Sequence, residues 1–392
     1  MGRVSRDPAA RRRLLALCAV AVAAALAGAV LGSRAADDGD TGGEKGARPG
    51  ARAAPVKPER RADPVARLSL EQQVGQLLVM SFDGVEAPEY IRRRLRRGEG
   101  SGVILFGKNA PDARSLKALT GTLQRAARGG ALVAPDQEGG SIRSVSFAPP
   151  QSSQGTLGTP AAAGDSAAQT ARALRATGIN VNLAPVADVA MPGSALAGRT
   201  YPGDARAVSR LVAAAVRAHA RERVGATAKH FPGLGRAAAN TDDTPVEIDA
   251  SRSDLEGSDL APFQAAAAAG VPLVMSSHAL YPALDRDHIA SQSRVVLEQV
   301  LRGRLGFRGA VITDSIEARA VLARSGVAVA AERAVAAGTD LVLMTGSGSW
   351  NEVYPRLLRR ARTSPRFRAR VRESAGRVLA LKRKLRLRLP GS

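Results

Sequence analysis

Eight short apolar runs, each ending in polar or glycine residues and most followed by a stretch with helical periodicity, fill residues 65–350. No other feature of the sequence constrains its fold as much. The runs are Leu77–Phe82, Gly102–Gly107, Ala131–Asp136, Val181–Val189, Gly225–Phe231, Pro272–His278, Gly309–Asp314 and Asp340–Gly346. Continuous apolar runs of this length suit strands covered on both faces, as in a parallel sheet; a sheet with one wet face would alternate. The intervening segments read as amphipathic helices. Val208, Leu211, Val212, Ala215 and His219 share one stripe, with Arg206, Arg210, Arg217 and Arg221 on the other side, and Val296, Leu297, Val300 and Leu301 repeat the pattern. Eight such units predict an α/β fold, a (β/α)8 TIM-type barrel, with an open doubly wound sheet as the other way to arrange them. No glycine-rich phosphate loop opens any helix, which counts against a nucleotide-binding open sheet.

A barrel presents its chemistry at the C-terminal ends of its strands. The residues there are charged and scarce. The third run leads into Asp136-Gln137-Glu138-Gly139-Gly140, and the fourth contains Asp188. The fifth contains Lys229-His230 and the sixth ends in His278. The seventh ends in Asp314. Lys229 is one of seven lysines, and the chain has four histidines. Each cluster has a plain structural reading: Asp314 as a helix cap, His278 as a satisfied rim histidine, Lys229-His230 paired with Asp188 or Asp136. His219, on an apolar stripe, reads as packing. Convergence of five clusters on one rim favours a site. The histidines stand on different runs, so no metal or other cofactor is expected. Neither a G-x-S-x-G elbow nor a Ser-His-Asp order is present. Paired carboxylates with a cationic, hydrogen-bonding rim suit glycoside hydrolysis.

Residues 1–35 read as a signal peptide or signal anchor. Arg11-Arg12-Arg13, faintly like a twin-arginine export signal, precedes the uncharged run Leu14–Gly32, and Ser33-Arg34-Ala35 offers a cleavage site. Residues 36–64 read as a disordered linker and 65–392 as the barrel domain. The barrel is thus expected outside the cytoplasm, secreted or held at the membrane. The single cysteine, Cys18, lies in the apolar run and excludes an internal disulfide. The net charge is +22, concentrated towards the end, where a basic helix (Arg377 to Arg388) reads as a solvated or anion-facing surface. Aromatic residues make up only 3% and Trp350 is the sole tryptophan. That argues against broad polysaccharide platforms and against base stacking, so no nucleic-acid partner is expected. A monomer is the default.

The motifs DQEGG (136–140), NLAPVADV (182–189), GRTYPGD (198–204), KHFPG (229–233), SSHALYPALD (276–285) and VITDS (311–315) occur in an order that resembles glycoside hydrolase family 3, near its single-domain β-N-acetylhexosaminidases. The resemblance spans about residues 70–350. It implies that Asp314 is the nucleophile of a covalent glycosyl-enzyme, and that Asp136, Arg199, Lys229 and His230 bind sugar hydroxyl and N-acetyl groups. The substrate would be a terminal β-linked sugar, N-acetylglucosamine of cell-wall-type glycans. Larger members carry a glutamate acid/base on a second domain, for which this chain is expected to be too short.

Two departures stand out. The resemblance leads one to expect a histidine after KHFPG and an Asp-Ser-His acid/base on a mobile loop; here Leu234 and Asn240-Thr241-Asp242 stand in those places. The arginine expected after Asp136 is displaced to Arg143, beside Ser144. Asp242, or its neighbour Asp243, is therefore the candidate acid/base, alongside Asp314 as the other catalytic residue. Asp136, Arg143, Arg199, Lys229 and His230 are the candidate substrate ligands. The alternative is a weak or inactive glycan-binding protein of the cell envelope on the same barrel.

Overall fold

A computed structural model describes residues 63–390. The predicted signal or anchor, Cys18, and the linker up to residue 62 lie outside the described residues. Asp63 caps a short 3-10 turn at Pro64–Arg67 by accepting from Val65 N.

Eight strands carry the core: β1 Leu78–Met80, β2 Gly102–Leu105, β3 Leu132–Pro135, β4 Val181–Asn182, β5 Gly225–Phe231, β6 Leu273–Ser276, β7 Ala310–Ser315 and β8 Leu341–Leu343. Each coincides with one predicted run, β7 extending one residue past its run to Ser315. All ladders between them are parallel, and β1 pairs with both β2 and β8. Asn180 N donates to Val133 O at 3.2 Å and Leu183 N to Pro135 O at 3.0 Å, which joins β4 to β3 and closes the ring. The fold is the predicted barrel, not the open sheet.

The lumen is filled by inward residues of the strands, among them Val79, Ile104, Leu132, Val181, Met275, Ile312 and Leu343. Val378 and Leu381 of the C-terminal helix Pro365–Lys384 join the same cluster and stopper the N-terminal mouth. The basic C-terminal segment is therefore partly an internal element: Arg370 and Arg377 both bond the fully buried Asp340.

The outer helices start where the sequence supplies caps. Asp112 accepts from Ser115 N, Thr159 from Ala162 N ahead of a proline, and Asp204 from Ala207 N. On helix Ala205–Arg221 the predicted apolar stripe is buried, His219 included. Asn182 Nδ2 lies 3.2 Å from His219 Nε2, and Nδ1 lies 3.0 Å from Ala215 O. Trp350 is packed between Tyr354 and Arg94, not displayed. None of the described helices is long and apolar enough to cross a membrane.

Two hairpins sit on the C-terminal rim: Gln137–Gly139 with Ile142–Arg143 after β3, and Leu280–Tyr281 with Asp285–Ile289 after β6. The first depends on Gly139. Its φ is +108°, and a Cβ there would lie 2.2 Å from Ser152 O, so no side chain fits.

Candidate active site

β5 supplies the centre. Its ladder to β6 shifts register between Ala228 and Phe231, so the regular alternation breaks at Lys229 and His230, and both side chains meet carboxylates of the rim. Lys229 is buried. Its Nζ lies 2.6 Å from Asp136 Oδ1 and 2.7 Å from Glu138 Oε1. Arg199 grips the same Glu138 in a fork, Nε to Oε2 at 2.9 Å and Nη2 to Oε1 at 2.7 Å. Two cations and two carboxylates thus form one network, the geometry in which charge-assisted hydrogen bonds are strongest.

Burial opposes ionisation of Glu138, yet Lys229 and Arg199 outweigh it and hold the carboxyl down to about 2. Burial likewise works against the Lys229 ammonium, and Asp136 and Glu138 overcome it, so its pKa is raised. Glu138 and Lys229 are therefore both ionised throughout the neutral range.

Asp188, fully buried, orients His230. It lies 2.8 Å from Nδ1 and accepts from the backbone N–H of His230 and, at 2.6 Å, of Leu234. With Nδ1 held as a donor, Nε2 faces Asp314 Oδ2 at 3.8 Å. Asp314, the last residue but one of β7, is a rim residue, its side chain 21% exposed. It is no helix cap, since the next helix starts at Arg319. Its Oδ1 accepts from Ser315 N at 2.8 Å. Burial tends to raise its pKa, but His230, His278 and Lys229 prevail and keep it below the ordinary carboxylate value. His278 is buried near Asp314, with Nδ1 on Ser291 Oγ at 2.8 Å.

Asp242 lies on the segment after β5 and is solvent-facing. Its environment pushes its pKa up, through desolvation first and then the charge of Asp314, against His230 and Asn240. The two carboxyl groups therefore share one neighbourhood, with one pushed up and the other held down. The loop that carries Asp242 is tied at several points. Arg319 N donates to Asp242 O at 3.2 Å and Ala320 N to Thr241 O at 3.1 Å. Met191 N bonds Gly235 O, and a Cβ on Gly235 would lie 2.0 Å from Val189 O. Leu234 is buried, and Arg236 pairs with the buried Asp259 at 3.0 Å. Burial still pushes the Asp259 carboxyl up to about 6.

Asp136, Arg199, Lys229, His230, Asp314 and Asp242 thus meet on one rim. Arg143 does not join them. Its guanidinium donates to Gly140 O, Ser146 O and Gln151 Oε1 around its own loop. Sequence reasoning assigned Asp136 a role and left Glu138 without one, although the same DQEGG run contains it. It also passed over three polar braces. Gln137 binds Val145, Ala148 and Pro149 and fixes the hairpin loop. Gln154 links Arg199 O to Val186. Glu317 accepts from Thr345 N at 2.9 Å and from Ser315 Oγ at 3.2 Å, joining the ends of β7 and β8 beside Asp314. Isolated Gln and Glu residues in loops carry no periodic signal that would have exposed them.

Comparison with known proteins agrees with this geometry. The model of the glycosyl hydrolase family 3 N-terminal domain matches residues 69–381. An uncharacterised secreted glycosyl hydrolase of Arthroderma benhamiae is 32% identical over 345 residues, covering 83% of this chain and 96% of that protein. A β-hexosaminidase of Xanthomonas campestris pv. campestris is 33% identical over 284 residues, 68% and 84% of the two chains. Among solved structures, a family 3 β-N-acetylglucosaminidase from Paenibacillus superposes with a TM-score of 0.77 at 34% identity; the match covers 81% of this chain and 63% of that one. A β-N-acetylhexosaminidase from Beutenbergia cavernae gives 0.73 at 33% identity, covering 80% and 98%. With a family model spanning nearly the whole barrel and a relative matched almost end to end, the chain belongs to glycoside hydrolase family 3, as a glycosidase of the β-hexosaminidase-like kind.

Proposed function

We propose that the chain removes a terminal β-linked sugar, N-acetylglucosamine of cell-wall-type glycans, with retention of configuration, outside the cytoplasm. The observation that carries this reading is the pairing of two unlike carboxyls on one rim, Asp314 held ionised and Asp242 pushed towards its acid form. Asp314 attacks the anomeric carbon while the bond to the leaving oxygen breaks and Asp242 gives that oxygen its proton. A water then loses a proton to Asp242, attacks the same carbon and releases Asp314. Asp136, Lys229, Arg199 and His230 orient the ring through its hydroxyl and N-acetyl groups. Support for the sugar comes from the names of the Paenibacillus and Xanthomonas proteins. Support for an external location comes from the N-terminal Arg11–Gly32 pattern and the secreted Arthroderma relative.

The test is release of 2,4-dinitrophenol from its β-N-acetylglucosaminide by the full chain, beside a substrate with a poor leaving group. Asp314→Ala should abolish release from both. Asp242→Asn should cost about 10²–10⁴-fold on the poor leaving group and far less on the activated one. No release from either substrate by the unaltered chain would overturn the reading in favour of a glycan-binding barrel. An unchanged Asp242→Asn would remove that residue from the mechanism.

A further inference from the structure

A cavity of about 490 Å³ opens at the N-terminal mouth of the barrel, at the opposite ends of the strands from Asp314. It lies among the residues that precede β1, β2 and β3: Gln76, Gly100 and Gly130. Its floor holds Lys382, only 2% exposed, whose Nζ bonds Gln76 Oε1 at 2.7 Å. Four exposed arginines surround it: Arg96, Arg97, Arg128 and Arg388. Arg96 and Arg97 each keep a surface carboxylate, Glu89 and Glu99. Arg128 and Arg388 have none among the described residues, and no acidic residue lines the cavity.

The placement of Arg388 is built into the fold. The tail after the C-terminal helix crosses the mouth, with Leu387 N on Lys382 O and Arg388 N on Gly129 O. A Cβ on Gly130 would lie 2.7 Å from Arg388 O, and one on Gly129 would meet the Arg388 side chain at 3.2 Å. Two consecutive glycines thus let the tail lie flush and bring its arginine over the cavity.

A buried amine with one neutral partner is costly in isolation, and burial pushes the Lys382 pKa down to about 7. An anion would offset that cost. The catalytic reaction has no use for this group, and Gln76 satisfies only one of its protons. The cavity is in the size range of small-molecule sites. No aromatic residue lines it, so an attached base has nothing to stack on and the anion itself is what the residues recognise. Guanidinium forks and a point-charge ammonium together match phosphate.

We propose that this mouth is a binding site for a compact phosphate-class anion, held by Lys382 from below and by Arg128 and Arg388 from the rim. The test is calorimetric titration of the full chain with inorganic phosphate and, in a separate arm, glucose 6-phosphate, at fixed ionic strength. Saturable binding of either supports the site, and the ratio of the two says whether the anion is taken free or sugar-borne. Lys382→Met and the double variant Arg128→Gln/Arg388→Gln should each weaken binding by about tenfold or more. The charge-matched control Arg206→Gln/Arg210→Gln, on a distant helix, should leave it within about twofold. Lys382→Met removes a desolvated charge and should fold; if it does not, the double variant on exposed side chains decides. No saturation with either anion, or an equal loss in the control, overturns the proposal.

Discussion

The two mouths of the barrel hold the same ingredients in different arrangements. At the N-terminal mouth one fully buried carboxylate, Asp340, receives Arg302 at 2.7 Å, Arg370 at 2.6 Å and Arg377 at 3.2 Å, together with Ser374 Oγ and Val311 N. Cations from two different helical segments converge on one acceptor, and Asp340 is shut off from solvent. At the C-terminal mouth Lys229, Arg199, Asp136 and Glu138 also form a network, but it is left open at its edge. The side chains of Arg199, Asp136 and Asp314 are 22%, 25% and 21% exposed. A closed cluster fixes elements, whereas an open one keeps charged atoms available to a ligand whose hydroxyls complete it. Burial of ions at either end is expensive, so each cluster is held by mutual pairing. Only one of them retains reach.

The sharpest way to break the comparison is to remove the closed carboxylate. Asp340→Ala leaves three arginines around an empty acceptor and unfastens the C-terminal helix from β7 and β8. The expected loss is about 3–5 kcal/mol of stability, read from denaturant unfolding, with kcat of the folded enzyme little changed. A fall in kcat as large as that of an active-site variant would show that the lower cluster tunes the upper one.

Reading the sequence recovers the two mouths unequally. The eight strands were legible because each is an uninterrupted apolar run, and burial on both faces leaves no alternation to misread. The rim residues were legible because charge at the end of a buried strand is conspicuous: Asp136, Lys229-His230 and Asp314 all sit there. Asp340 begins a run just as conspicuously, but its partners come from Arg302 and from residues 370–377, in a stretch so rich in arginine that no single one stands out. Pairing across such separations is a tertiary fact. For the same reason the basic C-terminal segment read as a surface, although part of it plugs the barrel. The Arg199–Glu138 fork spans sixty-one positions and was equally hidden.

A finer test uses acid. Glu138 titrates at about 2 in the folded chain against an ordinary 4.5. Folding therefore favours its ionised form. That contribution, on the order of 3 kcal/mol, is fully present above about pH 4.5 and drains away as the pH falls towards 2. Glu138→Gln should lower stability at neutral pH and flatten the stability curve across that window, measured as denaturant midpoints at a series of pH values. An unaltered slope would mean that Lys229 and Arg199 find other acceptors, and that the upper network is looser than its distances imply.

The smallest effect is expected at Arg143, and it bears on how open the upper mouth is. By position in the chain Arg143 is a sugar ligand, displaced by one residue from where the family resemblance puts an arginine. By contacts it is a loop brace, since its guanidinium is occupied by Gly140 O, Ser146 O and Gln151. Arg199, not Arg143, meets the Glu138 carboxylate. Arg143→Ala should therefore change KM by no more than about twofold, whereas Arg199→Ala should raise it far more, because truncating one partner of a buried charge pair leaves the other unpaired. A KM increase of about tenfold or more for Arg143→Ala would mean that the hairpin gives up its own carbonyls when sugar arrives. The rim network would then close by movement of Gln137–Arg143 rather than by the ligand alone, and the difference between the two mouths would be one of mobility as well as of exposure.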